Sequence, residues 1–379
     1  MKKSSFLFIC GALFWFNNVY AFETLARNAI LMDFDTGEYL YAKNIEDMVP
    51  PASMSKLMTV YILMSKIKDG SLKLDDTFKV SENAWRKGGA ATGGSTMFLS
   101  IGDNVSVDNL IKGIVIQSGN DACIVVAENI SGSEEDFAVL MNKTAKKIGL
   151  KNSSFANSTG LPHPDHKMSV EDLAILSQHI IREFPDLYHY FSQKEFTYNN
   201  IKQGNRNPLL YTMKGADGLK TGHTEEAGFC LAATVQKNNR RLIEVMSGMN
   251  SNRERSEEAE RLMSWGFREF ENHKLVSAGQ KVGKAKIWYG VKNDVELEIA
   301  EDFVKTIHIN DTDDVKIKVE YEEPVKAPIK TGQEIGKARV FVGDEIVKVL
   351  PVVATNDVDE VGMFGKFISN VNYFIFGKK

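Results

Sequence analysis

The sequence predicts an α/β (α+β) domain whose sheet joins both of its chain ends, followed by a small all-β domain and a C-terminal amphipathic helix. Three observations predict it. Apolar runs of strand length lie near residues 29–41 and again at 228–246, with helical periodicity between them. From about 276 to 355 the texture changes to short alternating strands separated by Gly, Asn, Asp or Pro. Beyond residue 361, Met, Phe, Ile and Val recur at helical spacing. The 379 residues suffice for two or three domains, at roughly 100–200 residues each. The 43% hydrophobic and 25% charged content excludes a disordered chain. A formal charge of −4 argues against a nucleic-acid binder, which carries a concentrated basic footprint.

Residues 1–21 stand outside that fold. Lys2 and Lys3 precede an apolar stretch at 6–16, and Val19-Tyr20-Ala21 offers a small-x-small-like cleavage site, the three-part pattern of a secretory signal. The apolar stretch is too short to span a ~30 Å hydrocarbon core as an anchor. Cleavage after Ala21 removes both lysines and takes the charge from −4 to −6. The protein is expected to be exported, with Cys123 and Cys230 as its remaining cysteines. An oxidising compartment permits a disulfide, but both lie in apolar strings, which favours buried free thiols.

The next elements follow in order. Residues 29–34 and 38–41 flank Asp35-Thr36-Gly37 and read as a β-hairpin. Pro50-Pro51 stops the chain, and a helix is expected from about Ser53 to Lys66. Met54, Leu57, Met58, Val60, Tyr61, Ile62, Leu63 and Met64 cover nearly every face of it, as in a buried helix. Residues 106–148 and 169–182 carry helical periodicity, the latter capped near Ser169. Strands are expected at 228–235 and 242–246. The domain boundary is placed near 270–279, dividing a 22–272 domain from a 273–355 β-domain and a 356–379 tail. In that tail Met363, Phe364, Phe367, Ile368, Val371, Phe374 and Ile375 share a face, and Lys366, Lys378 and Lys379 add charge. This composition suits a helix lying on an anionic membrane surface through 361–379, and it is too polar to span one. A helix docked on the protein is the plainer alternative.

Three short motifs carry chemistry: Ser53-Met54-Ser55-Lys56, Ser118-Gly119-Asn120 and Lys220-Thr221-Gly222. Each has a decoy in this chain, at Ser65-Lys66-Ile67-Lys68, Ser81-Glu82-Asn83 and Lys330-Thr331-Gly332. Context separates them. Ser53 opens the buried helix and Lys56 shares its face one turn on. Such a lysine accepts a serine proton when burial and a nearby cation depress its pKa, and Lys220 is the expected cation. Ser65 and Lys68 sit at the helix end. Lys220-Thr221-Gly222 precedes an apolar strand, where it can line a cleft. His163-Pro164-Asp165-His166 reads as a loop. With no H-E-x-x-H string or cysteine cluster, no metal and no cofactor is expected.

S-x-x-K, S-x-N and K-T-G together form the signature set of penicillin-binding proteins and serine β-lactamases. The longer strings 51–59, 117–123 and 217–224 resemble the low-molecular-mass penicillin-binding proteins of the 5/6 type, serine D-alanyl-D-alanine carboxypeptidases. The resemblance implies an antiparallel sheet flanked by helices, with a helical cluster beside it. It implies Ser53 as nucleophile, Lys56 as its base and Ser118 as proton relay. Asn120, Lys220, Thr221, Gly222 and His223 would bind substrate, as would Arg206 and Arg255 near the carboxylate end. For Arg255 a solvated helix charge is nearly as good a reading, because Arg253, Arg255, Glu257 and Glu258 form a mixed charge run. The implied partners are peptidoglycan pentapeptides ending in D-Ala-D-Ala and, as covalent inhibitors, β-lactams. A periplasmic protein peripheral on the outer face of the bacterial inner membrane follows. A serine β-lactamase or D,D-endopeptidase on the same fold are alternatives; a non-enzymatic wall-binding module fits least.

Overall fold

The structure is a computed structural model that describes residues 22–310 and 315–376; for Asn372, Tyr373, Ile375 and Phe376 it describes the backbone only. The expected signal at 1–21, and Lys378 and Lys379, lie outside the described residues.

Strands β1 (Asn28–Asp33) and β2 (Tyr39–Lys43) form the predicted hairpin. Helix α1 (Lys56–Lys68) follows a 3₁₀ turn at Ala52–Ser55, so Ser53 belongs to the turn rather than to the helix proper. The single periodic stretch at 106–148 resolves into α2 (Val107–Val115), α3 (Asn120–Ser131) and α4 (Glu134–Lys147). The first break falls at Ser118, whose φ of 65° cannot continue a right-handed helix. Helix α5 (Val170–Glu183) starts at the predicted cap, where Ser169 Oγ accepts from Asp172 N at 3.0 Å. Three further strands, β3 (Ala216–Thr224), β4 (Gly228–Lys237) and β5 (Arg240–Met249), precede α6 (Asn252–Glu269). Lys220-Thr221-Gly222 therefore lies inside a strand of its own, β3, and precedes the apolar strand β4 as read from the sequence. The five strands form one antiparallel sheet in the order β2-β1-β5-β4-β3, joining both ends of the domain as expected.

The alternation of side chains along these strands builds two cores. Ile30, Met32, Cys230, Ala232 and Val245 face the helical cluster, where α1 is buried nearly throughout. Ala29, Leu31, Leu231, Ala233 and Met246 face α6 and its Ala259, Leu262 and Met263. Glu244 is also fully buried in β5, and neither of its carboxyl oxygens has a hydrogen-bond partner among the described residues.

The second domain is all-β, as predicted. Phe270–Val276 pairs with Phe303–His308, and six more strands form a second sheet around Val295, Leu297, Val340 and Val352. Polar bonds brace the two domains. Buried Asp33 accepts from Asn272 Nδ2 at 3.2 Å and from Arg240 Nε at 2.8 Å, while Arg240 also donates to Phe270 O. Thr36 Oγ1 meets Thr306 Oγ1 at 2.6 Å, and Lys305 Nζ pairs with Glu38 at 3.1 Å.

The last described element is a helix at Met363–Phe376. Met363, Phe364, Phe367 and Phe374 are exposed, at 91%, 78%, 65% and 91%. Lys366 pairs with Glu360 at 2.7 Å, and Asn370 Oδ1 accepts from Tyr289 OH at 2.6 Å. No helix among the described residues is long and apolar enough to cross a membrane.

Candidate active site

The site is built where the 3₁₀ turn at Ala52–Ser55 meets the edge strand β3. A Cβ on Gly222 would stand 3.1 Å from Pro51 O and from Ala52 Cβ, and one on Gly160 would stand 2.0 Å from Ala52 O. Gly160, with φ of 76°, has no room for a side chain, and at Gly222 one would push on the turn. The turn is thus gripped between β3 and the 155–166 loop. It presents Ser53 to a cleft of about 720 Å³ lined by Ser118, Asn120, Arg206, Thr221, Gly222, His223 and Arg255.

Lys56 lies beneath Ser53 and is 1% exposed. Its Nζ donates to Ser53 Oγ at 2.9 Å and to Thr159 O at 2.6 Å. Burial lowers its pKa to about 8; the Arg206 guanidinium adds to that, against the opposing pull of Cys123, Asp121 and Glu134. Arg206 is thus a depressing cation that the sequence did not suggest, and Lys220, the expected one, also faces Lys56 as a like charge. Lys220 is itself buried, and burial first, then Lys56 and Arg206, hold it well below the usual lysine range. Its Nζ donates to Thr221 O at 3.0 Å.

On the opposite wall, Ser118 Oγ is buried with no hydrogen-bond partner among the described residues. Asn120 opens α3, its N–H donating to Ser95 O at 2.8 Å. Neighbouring Asp121 ties this wall together by accepting from Thr96 Oγ1 at 2.7 Å, Met97 N at 2.8 Å and Leu99 N at 3.2 Å.

At the far end, Arg206 Nη1 donates to Ser95 Oγ at 2.6 Å, although the residue is exposed. Arg255 is not a solvated charge. It is 6% exposed, because α6 packs positions 255, 258, 259 and 262 inward and leaves Arg253, Glu254 and Glu257 outside. Its Nη1 donates to Cys230 O at 3.3 Å, and burial lowers its pKa to about 10. The rings of His223 and Phe229 lie 4.0 Å apart between centroids, with the Arg255 guanidinium 5.7 Å from the Phe229 centroid.

The motif copies do other work. Ser65 Oγ donates to Tyr61 O, Ser81 Oγ caps a short helix by accepting from Ala84 N, and Lys330 and Thr331 hold Asp357. Cys123 and Cys230 are buried free thiols. Two participants escaped the sequence reading. Thr159 contributes a backbone carbonyl, which leaves no mark on residue type. His166, in the loop expected at 163–166, is 2% exposed and bonds Ser55 Oγ at 2.7 Å.

A serine one hydrogen bond from a lysine whose burial lowers its pKa to about 8, beside an edge strand bearing Lys-Thr-Gly, defines a lysine-assisted serine acyl-enzyme hydrolase. The chain belongs to the D-alanyl-D-alanine carboxypeptidase family, whose profile matches residues 17–251; that of the penicillin-binding protein 5 C-terminal domain matches residues 270–360. It is 38% identical over 347 residues to the D-alanyl-D-alanine carboxypeptidase DacA of Haemophilus influenzae, covering 91% of this chain and 88% of that one. It is 38% identical over 364 residues to DacC of Escherichia coli, covering 95% and 91%. Crystallised penicillin-binding protein 5 from Haemophilus influenzae superposes with a TM-score of 0.80 at 37% identity, covering 90% of this chain and 100% of that one. The resemblance read from the three motifs is thereby upheld, with the fold it implied.

Proposed function

We propose that the protein removes the terminal D-alanine from peptidoglycan pentapeptides through an acyl-enzyme on Ser53, in cell-wall remodelling and the control of cell shape. The observation that carries this reading is the 2.9 Å contact between Ser53 Oγ and a lysine held near pKa 8. A neutral Lys56 amine takes the serine proton as Oγ attacks the carbonyl of the penultimate D-alanine. The N–H groups of Ser53 and His223 receive the oxyanion; β3 is an edge strand, with backbone groups free for such use. Ser118 Oγ relays the proton taken up by Lys56 to the leaving D-alanine nitrogen, Asn120 holds the peptide, and water then cleaves the Ser53 ester and restores the free hydroxyl. Lys220, Thr221, Arg206 and Arg255 meet the free carboxylate, whose arrival favours the charged form of Lys220. A cation-lined cleft end selects chain termini, which supports carboxypeptidase over endopeptidase action. β-Lactams acylate the same serine.

Residues 1–21 serve as a cleaved signal, 22–272 as the peptidase domain, 273–355 as the β-domain, and 356–379 as the tail that holds the protein on the periplasmic face of the inner membrane. The exposed Met363, Phe364, Phe367 and Phe374 support that placement. Incubation with a diacylated tripeptide ending in D-Ala-D-Ala tests the reading through released D-alanine. Rapid penicillin turnover without D-alanine release would point to a lactamase instead.

A further inference from the structure

The imidazole of His166 lies behind the catalytic turn and has no part in the chemistry described above. Ala156 N donates to Nδ1 at 3.3 Å, so Nδ1 is the acceptor and Nε2 carries the proton that goes to Ser55 Oγ at 2.7 Å. Burial lowers the His166 pKa to about 4, with His163 and Lys56 adding to it, and the ring stays neutral in this tautomer. Its edge meets the Phe155 ring, with centroids 5.6 Å apart.

These contacts join two segments that must keep register. Ser55 sits between Ser53 and Lys56 on the turn. The 155–166 loop holds the Thr159 carbonyl 2.6 Å from Lys56 Nζ. A neutral amine has one lone pair. If one N–H is committed to Thr159 O, the lone pair can face the Ser53 hydroxyl; if that carbonyl drifts, the amine can turn away. Thr59 Oγ1, donating to Ser158 O at 2.7 Å, braces the same loop further down α1.

We propose that His166 is a positioning residue for acylation: by bridging Ser55 and Ala156 it keeps the Thr159 carbonyl on Lys56, which aims the amine at Ser53. The proposal rests on the function given above. Misplacing a reacting group by about 1 Å costs on the order of a hundredfold in rate.

The test separates the non-covalent binding constant of a labelled penicillin from its acylation rate constant. His166→Phe preserves the ring but loses both polar bonds; its acylation rate constant should fall by about tenfold or more with binding unchanged. His166→Gln, which has both a donor and an acceptor, should recover to within about threefold of wild type. Wild-type acylation by the Phe variant, a loss confined to binding, or a Gln variant as slow as Phe overturns the proposal. If His166→Phe does not fold, Ser55→Ala removes the other end of the bridge. A several-fold slower acylation then supports the proposal, and an unchanged rate refutes it. Failure of the wild-type protein to label at Ser53 would instead refute the underlying function.

Discussion

The pH dependence of acylation follows from the burial of Lys56. Its amine is pushed from the ordinary 10.5 to about 8, a bias of about 3 kcal/mol against the charged form. Only the neutral amine can take the Ser53 proton. At pH 6 roughly one molecule in a hundred has it, at pH 7 roughly one in ten, and above pH 9 nearly all do. Acylation by a labelled penicillin, followed by stopped flow from pH 6 to 10, should therefore rise about tenfold per unit and level off past pH 8. Lys56→Arg keeps the positive charge but cannot surrender it, and should be slower by about 10²–10⁴ at every pH. A flat profile across this range, or an arginine variant close to wild type, would refute lysine as the base.

Three other outcomes are expected. Ser53→Ala should abolish penicillin labelling with little change in thermal unfolding, whereas Ser65→Ala, whose hydroxyl merely bonds Tyr61 O, should label normally; mass spectrometry of the labelled peptide decides. Ending the chain at Val361 should abolish salt-sensitive binding to anionic vesicles and leave D-alanine release from a small peptide intact; equal sedimentation of the long and short forms would remove the tail from the anchoring role. Burial, chiefly, and Glu258 hold the Glu244 carboxyl well above its ordinary 4.5, so the folded state keeps a proton that the unfolded chain gives up. Stability is then lost as pH rises above about 4.5, by up to about 1.4 kcal/mol per unit. Glu244→Leu should raise the melting temperature more at pH 8 than at pH 5, and an equal effect at both would place the cost elsewhere.

Much of the site was legible because its chemistry is local. Ser53 and Lys56 fall one turn apart on a segment too apolar to be anything but buried, and this distinguished them from Ser65 and Lys68. What escaped was set by contacts remote in sequence. Strand β3 carries Asp, Gly, Lys and Thr, and lacks the continuous apolar run of β4, since its edge faces a polar cleft. Arg255 read as one charge among several, because only the packing of α6 on the sheet separates it from Arg253. The Thr159 carbonyl and the neutral role of His166 depend on how a loop closes over the turn, about a hundred residues away along the chain. The break at Ser118 falls in a short polar stretch, Gln117 to Asp121, and only the apolar periodicity on either side of it made the two helices read as one.

The braced junction at Asp33 has a mechanical consequence. With Thr36 on Thr306, Glu38 on Lys305 and the Asp33 carboxylate accepting from Arg240 and Asn272 at the boundary, the two domains meet through direct polar bonds and not through a bare linker. If the exposed helical tail rests on a surface, the cleft is carried at a constant height above it. Reach is then a matter of geometry and not of linker length. A molecule so placed would work within a thin layer parallel to that surface, and material above or below the layer would have to come to it.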